Sequence, residues 1–339
     1  MHSRSSTSRI KPPALRMGDI VGIVAPASNV RRDAVEAGCQ ALRKLGYKPF
    51  YFDSIFEQDI YFAGSVERRT QELEEMFLRD EVRAIICARG GYGSNYLLEK
   101  LDLEKIKAHP KILVGYSDLT SLLTYFSDAA GLITFHGPMV SKDFGALDGV
   151  DLNSWQAALG GTSQWEVDVN SEATPLVEGI AEGILYGGCL SILVASLGTP
   201  YEVQTEGTIL FLEDVAAKPF QIDRMLMQLK LAGKLDSVQG IIFGEMLDCV
   251  QNPSTDKDQG YTLEEVVLRV VRDLKVPVAY GLRSGHVSRR NITLPIGVRT
   301  ALRVRDAGVE LKIIEAATTP VPAAPDLART TANTALHKS

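Results

Sequence analysis

The chain has 339 residues, 45% hydrophobic and 23% charged, with a formal net charge of −6. These are ordinary globular proportions, enough to bury a sizeable core, and the length suits two domains. The acidic balance excludes a broad nucleic-acid-binding face, which needs clustered cations. No apolar run is long enough to suggest a membrane span.

The four cysteines (Cys39, Cys87, Cys189 and Cys249) show no CxxC spacing, so they read as scattered core thiols and not as a metal site or disulfide framework. Residues 1–13 carry Arg and Lys but no apolar stretch of signal-peptide length and are expected to be disordered. Together these features predict a cytoplasmic protein, and no metal or cofactor is expected.

Ile20–Ala25 is a short apolar run ending at Pro26-Ala27-Ser28, the pattern of a buried strand meeting a turn. Val30–Leu45 has helical spacing, with Val35, Cys39, Leu42 and Leu45 on one face and Gly46 behind them as a stop. Lys48–Phe52 reads as a strand, Glu67–Leu78 as a helix and Ala84–Ala88 as a strand. The turn Arg89-Gly90-Gly91-Tyr92-Gly93 follows, then a helix through Leu98. Lys111–Val114 is a strand running into Gly115-Tyr116-Ser117-Asp118, with a helix from Leu119 to Phe126 and a short strand at Ile133–Phe135. Strands alternating with helices predict an α/β fold with a parallel sheet, and in such sheets ligands gather at the carboxyl ends of the strands. The turns at 26–28, 89–93 and 115–118 all fall on that edge.

The expected N-terminal domain is 14–150, followed by a polar, irregular linker over 151–175. The C-terminal domain, 176–315, shows strands at Gly183–Tyr186, Thr208–Glu213, Gly240–Gly244 and Val278–Gly281. Its helices are Ser191–Leu197, Phe220–Ala232 and Thr262–Leu274, and Arg299–Arg305 with Gly308–Ile314 reads as a final hairpin. Residues 316–339, rich in Ala, Thr and Pro, are expected to be a disordered tail.

Ser117 stands where an apolar strand ends and a helix begins. A serine there can be a nucleophile presented on a sharp turn, with the free N–H groups of the helix start ready for an oxyanion. The flanks are not G-x-S-x-G, and Ser117 or Asp118 can equally be a helix cap. The Gly90-Gly91 turn lets backbone approach a ligand closely, but it is neither a dinucleotide nor a P-loop signature. His136 and His286 are both candidate bases, and local reasoning does not choose between them. Glu213 and Asp214 end the apolar run Thr208–Leu212, where a buried carboxylate needs a partner: a histidine N–H, or a salt bridge to Lys218 or Arg224.

Six motifs then resemble one family in its order. They are Gly18-Asp-Ile-Val-Gly-Ile-Val-Ala-Pro-Ala-Ser28, Ala88-Arg-Gly-Gly-Tyr-Gly93, Gly115-Tyr-Ser-Asp118, Phe135-His-Gly-Pro138, Phe211-Leu-Glu-Asp214 with Ile222-Asp-Arg-Met-Leu226, and Gly285-His286 with Asn291 and Leu294-Pro-Ile-Gly297. From Leu15 to Ile314 the chain resembles the LD-carboxypeptidases, serine peptidases of the S66 type that include microcin C self-immunity hydrolases. The resemblance implies an N-terminal Rossmann-like domain, a C-terminal α/β domain and a homodimer. It implies a triad of Ser117, Glu213 and His286, an oxyanion hole from the amides of Asp118 and Gly91, and substrate contacts at Gly90 and Tyr92. The implied reaction releases a terminal D-alanine from murein tetrapeptide during cell-wall recycling. Val215-Ala-Ala-Lys-Pro219 departs from the Glu-Pro-Pro often found after the Glu-Asp pair, so it bears on substrate preference. A microcin C-type amidase of the same family, which would want an aromatic near the pocket, is the alternative; Asn252–Gly260 holds none before Tyr261. A non-catalytic protein binding a small ligand is the third reading.

Overall fold

A computed structural model describes residues 9–169, 173–250 and 260–320. In the first half, apolar runs become strands: β1 (Ile20–Val24), β2 (Lys48–Phe50), β3 (Val82–Cys87), β4 (Ile112–Gly115) and β5 (Thr134–His136). They pair in parallel in the order β2-β1-β3-β4-β5. β1, β3 and β4 are almost wholly buried, as continuous apolar strands sandwiched between helices must be. The flanking helices are α1 (Arg32–Lys44), α2 (Val66–Leu78), α3 (Leu103–Ala108) and α4 (Thr120–Tyr125). The order in which successive strands are added across the sheet reverses between β1 and β3, and the strand ends near that switch point carry the turns at 26–28, 89–93 and 115–118.

The expected linker contains a helix, α5 (Leu152–Leu159), and a strand, β6 (Trp165–Val167). Its polar look is local; Trp155 is buried, packs edge-on against Phe144 at 5.0 Å and donates its indole N–H to Tyr47 at 3.2 Å. The remaining strands are β7 (Thr174–Val177), β8 (Gly179–Cys189), β9 (Thr208–Glu213), β10 (Gly240–Gly244), β11 (Val278–Leu282), β12 (Leu294–Ile296), β13 (Arg299–Arg305) and β14 (Gly308–Ile313). All of them except β12 join β6 in an eight-stranded sheet, β6-β14-β13-β8-β9-β10-β11-β7, with β8 to β11 parallel at its centre. Helices α6 (Leu190–Ala195), α7 (Pro219–Leu231) and α8 (Leu263–Val271) complete this half.

β12 crosses back and pairs antiparallel with β5, Leu294 opposite His136, so the last strand of the first sheet comes from the second half. Its Pro295 is tolerated because the strand is an edge. One buried cluster runs through both halves, from Ile23 and Val114 past Phe135 and Leu294 to Leu185 and Phe211. The described parts of the two expected tails are paired with each other. The Thr319 amide donates to Pro12 and the Ala14 amide to Thr319, both at 2.9 Å, while Lys11 bridges Glu315 at 2.8 Å. Polar composition suggested disorder there, but the segments find backbone partners in each other and, at Ile10, in Gly131 and Ile133; residues 1–8 and 321–339 lie outside the described residues. Among the described residues no helix is long and apolar enough to cross a membrane.

If residues 151–169 are an integral packed layer, Trp155→Ala should destabilise the protein by about 3–5 kcal/mol, the usual cost of emptying a buried tryptophan site. A urea denaturation midpoint close to that of the parent protein would contradict this placement.

Candidate active site

β4 runs into Tyr116 with extended backbone, and Ser117 then adopts φ +64° at the start of a short 3-10 turn leading into α4. That left-handed conformation is uncommon for a residue with a side chain and marks a tight, imposed turn. Neither Ser117 nor Asp118 acts as a helix cap here; no side chain caps either the turn or α4. The Asp118 carboxylate instead accepts the Ser94 amide at 2.8 Å, and the Ser94 hydroxyl donates to the Asp118 carbonyl at 2.7 Å. Burial pushes the Asp118 carboxyl up, against the pull of its bonds from Ser94. The Asp118 amide is among the first N–H groups of a helical turn, which lack intrahelical acceptors.

The glycine turn packs directly on Ser117. A Cβ on Gly90 would lie 2.8 Å from Ser117 Cβ and 3.0 Å from its Oγ, so only glycine allows this approach. Ser28 braces the turn: its Oγ accepts the Tyr92 amide at 3.0 Å and its amide donates to the Gly90 carbonyl at 3.3 Å. Buried Arg69 on α2 donates to the carbonyls of Pro26 and Gly93, both at 2.7 Å, and ties the β1 and β3 turns together. Sequence reasoning missed Ser94 and Arg69. Arg69 carried only a weak signal, a charged residue on the inward face of an amphipathic helix. A cavity of about 200 Å³ lies against this arrangement, lined by Tyr92, Asn95, Asp118, Ser121, Ile192 and Tyr201 among others. A larger one, about 710 Å³, sits at the β6–β14 edge away from these turns.

Glu213, at the end of β9, is fully buried and accepts two bonds at Oε2: from the His286 amide at 3.1 Å and from His286 Nδ1 at 2.8 Å. Neither Lys218 nor Arg224 is its partner among the ion pairs of the described residues. Burial by itself pushes Glu213 up, but the hydrogen bonds and charge of His286, with a contribution from His136, outweigh it and hold the carboxyl below its usual range. An ionised carboxylate only accepts, so Nδ1 of His286 carries a proton in this bond and Nε2 is the nitrogen left for proton transfer. The loop holding His286 is clasped by buried Asn291, which accepts the Gly285 amide at 2.9 Å and donates to the Gly285 carbonyl at 3.1 Å. Gly285 has φ +93°, and a Cβ there would lie 2.6 Å from Glu213 Cδ. Tyr116, the residue before Ser117, packs edge-on against the His286 ring at 5.1 Å. The halves also touch where the Cys189 amide donates to Thr120 Oγ1 at 3.1 Å; Cys189 lies opposite Glu213 in the β8–β9 register.

Of the two candidate histidines, His286 keeps part of its side chain accessible at 13%, whereas His136 has none, so a substrate can reach only the former. His136 lies behind Glu213, its Nε2 4.0 Å from Oε1. Cys189, Glu213 and His286 have ligand-type atoms within 4.8 Å of one another. Zinc holds such atoms at about 2.0–2.3 Å each, which keeps a histidine nitrogen and a carboxylate oxygen roughly 3.3 Å apart. The 2.8 Å between Nδ1 and Oε2 is a direct hydrogen bond.

A family model of the LD-carboxypeptidase N-terminal domain matches residues 21–137, and one of the LD-carboxypeptidase C-terminal domain matches 182–302. The chain is 39% identical over 311 residues to a probable murein peptide carboxypeptidase of Bacillus subtilis strain 168, covering 91% of this chain and 96% of that protein. It is 30% identical over 322 residues to the microcin C7 self-immunity protein MccF of Escherichia coli, covering 85% and 91%. Among solved structures, wild-type apo MccF superposes with a TM-score of 0.84 at 25% identity, over 91% of this chain and 100% of the other. A muramoyltetrapeptide carboxypeptidase from Oxalobacter formigenes superposes at 0.77 with 28% identity, over 89% and 100%.

Burial pulls His136 down to about 4; Glu213 opposes that shift and His286 reinforces it. Tyr116, Glu213 and His286 are ionisable groups beside its ring. Between the ordinary histidine value of about 6.5 and about 4, the unfolded chain binds a proton at this residue that the folded chain does not. Stability should therefore be lost as pH falls through that window, by on the order of 3 kcal/mol from this group. Urea denaturation at a series of pH values should show this component in the wild type and not in His136→Phe; equal slopes in the two would refute it.

Proposed function

This chain belongs to the LD-carboxypeptidase family and is a serine-type carboxypeptidase, and we propose that it releases the terminal D-alanine of murein tetrapeptide with Ser117 as nucleophile, His286 as general base and Glu213 as the orienting carboxylate. One observation carries the assignment of roles: a fully buried carboxylate holds the Nδ1 of a partly exposed histidine at 2.8 Å, on the sheet that abuts the left-handed Ser117 turn. A buried carboxylate orienting a histidine supplies two of the three parts that acyl transfer by a serine requires, and the adjoining Ser117 turn supports the third.

In this reading Nε2 of His286 takes the proton of Ser117 Oγ as that oxygen attacks the peptide carbonyl. The amides of Asp118 and Gly91 hold the developing oxyanion, each such donor being worth about 10²–10³ in turnover. His286 then protonates the departing amine of D-alanine. Water, deprotonated by the same nitrogen, releases the acyl group and restores Ser117. Glu213 stays ionised and stabilises the imidazolium formed at each stage. Gly90, packed on Ser117, and Tyr92, which lines the neighbouring cavity, contact the substrate. The mechanism invokes no metal and no cofactor. A cytoplasmic location fits four free thiols, all buried, and the homodimer implied by the resemblance belongs to the same reading.

One observation favours the second substrate class. Tyr61, Tyr92 and Tyr96 are substantially exposed and cluster with Phe62 beside the glycine turn, ring centroids about 4.5 to 6.1 Å apart. An aromatic surface of that kind suits the nucleobase of an aminoacyl sulfamoyl nucleoside such as those bound in solved MccF complexes. Most of Asn252–Gly260 lies outside the described residues.

Ser117→Ala should lower D-alanine release by about 10⁴-fold or more, and Glu213→Gln by a comparable factor through loss of the tautomer control. A phosphonate probe should label the wild type at Ser117. Folded protein that resists labelling would point to the ligand-binding alternative, and turnover retained in Ser117→Ala would end the serine assignment. Parallel assays with the tetrapeptide, its muramyl form and an aminoacyl sulfamoyl nucleoside should favour the murein peptides; faster cleavage of the nucleoside would reverse the order.

A further inference from the structure

The mechanism uses one oxygen of Glu213. The other, Oε1, is fully buried and makes no hydrogen bond to the described residues; both ring nitrogens of His136 are in the same position. These two groups face each other, with Nε2 4.0 Å from Oε1. A buried polar atom left without a partner costs about 1–3 kcal/mol, and more when it carries charge. A histidine retained only for packing would turn its nitrogens to neighbouring backbone. Here the ring is walled by Phe211 at 5.2 Å and Tyr116 at 6.0 Å, and by the backbones of Gly188 and Gly285.

The placement of His136 in the chain adds a second reason. It ends β5, opposite Gly115 of β4, and the Gly137 amide donates to the Gly115 carbonyl at 3.1 Å. His136 therefore belongs to the sheet that carries Ser117 but points at a carboxylate of the other sheet. We infer that His136 is a positioning residue: its neutral imidazole, protonated at Nε2, donates to Glu213 Oε1 when the site tightens on substrate, and so fixes the carboxylate whose other oxygen orients His286. A separation of 4.0 Å is too long for the bond in the free protein. Catalytic hydrogen bonds commonly shorten in the substrate complex. The inference rests on the Ser117–Glu213–His286 reading.

A donor on Oε1 draws charge away from Oε2 and makes His286 less basic. Its loss should move the acid limb of kcat/KM to higher pH. The other ionisable groups packed here are Tyr116 from the β4 end and Cys189 from the β8 end; burial pushes both up, so they stay neutral across that limb.

The test compares His136→Phe and His136→Gln with the wild type and Ser117→Ala. Phenylalanine keeps the shape and removes the donor, so kcat should drop about tenfold or more with KM unchanged, and the acid limb should shift upward. Glutamine restores an N–H donor and should recover part of the loss. Unchanged kcat and pH profile in His136→Phe, or no recovery in His136→Gln, would overturn the inference. Nitrogen-15 histidine spectra of the wild type provide an arm that does not depend on variants folding. They should show His136 neutral at pH 7 with its proton on Nε2, and a proton on Nδ1 would overturn the proposal by itself. Wild-type rates in Ser117→Ala would instead bring down the underlying triad, a distinct outcome.

Discussion

A carboxylate with no exposed surface must be matched by donors, and the site is organised around that demand at Glu213. β9 delivers the side chain into the interior between two sheets, where an unpaired charge would cost several kcal/mol. The match comes from one residue used twice, the backbone and ring of His286, both on Oε2. For both donors to reach one oxygen, the loop must turn sharply just before His286. The positive φ of Gly285 and the Asn291 clasp produce that turn. The stability of the buried charge and the orientation of the base are thus the same interaction.

The other side of the site is organised by strain. Ser117 holds a backbone conformation that costs on the order of 1–3 kcal/mol, and such conformations persist only where neighbours over-determine them. Gly90 presses on the serine, Ser28 grips the glycine turn, Ser94 ties that turn to Asp118, and Arg69 spans the β1 and β3 turns. Three loops from three strands act as one rigid unit. Rigidity is what positioned amides need, since an oxyanion hole stabilises charge only if its donors are already aimed.

These two units come from different halves of the chain, so their relative position depends on how the halves join. The join is extensive. β12 completes the first sheet, a shared apolar cluster runs through both sheets, and the Thr120–Cys189 bond links the helix after Ser117 to the strand beside Glu213. His136 sits at that boundary, the last residue of β5, with its Nε2 4.0 Å from the acid. The paired segments at 9–14 and 315–319 add a further clasp far from the chemistry.

Much of this was legible in the residues. Alternating apolar runs and amphipathic spacings determine a parallel α/β arrangement, because a strand buried on both faces must be apolar throughout, and they locate the turns at the strand ends. Motif resemblance then singled out Ser117, Glu213 and His286, which local reasoning had left open against a helix cap, a salt bridge and His136. What stayed illegible shares one cause: it depends on partners distant in the chain. β12 is three residues long and contains proline, so nothing local marks it as a strand until β5 lies beside it. Trp155 looked like part of a polar linker until Phe144 and Tyr47 enclosed it. Arg69 and Ser94 are ordinary residues whose roles arise from which loops they reach. The sequence by itself determined most of the elements, the edge where chemistry gathers and the residue types available for it. Only the tertiary structure decided how each histidine meets Glu213, one bonded to Oε2 and the other 4.0 Å from Oε1, because that depends on which side of one buried carboxylate each ring approaches.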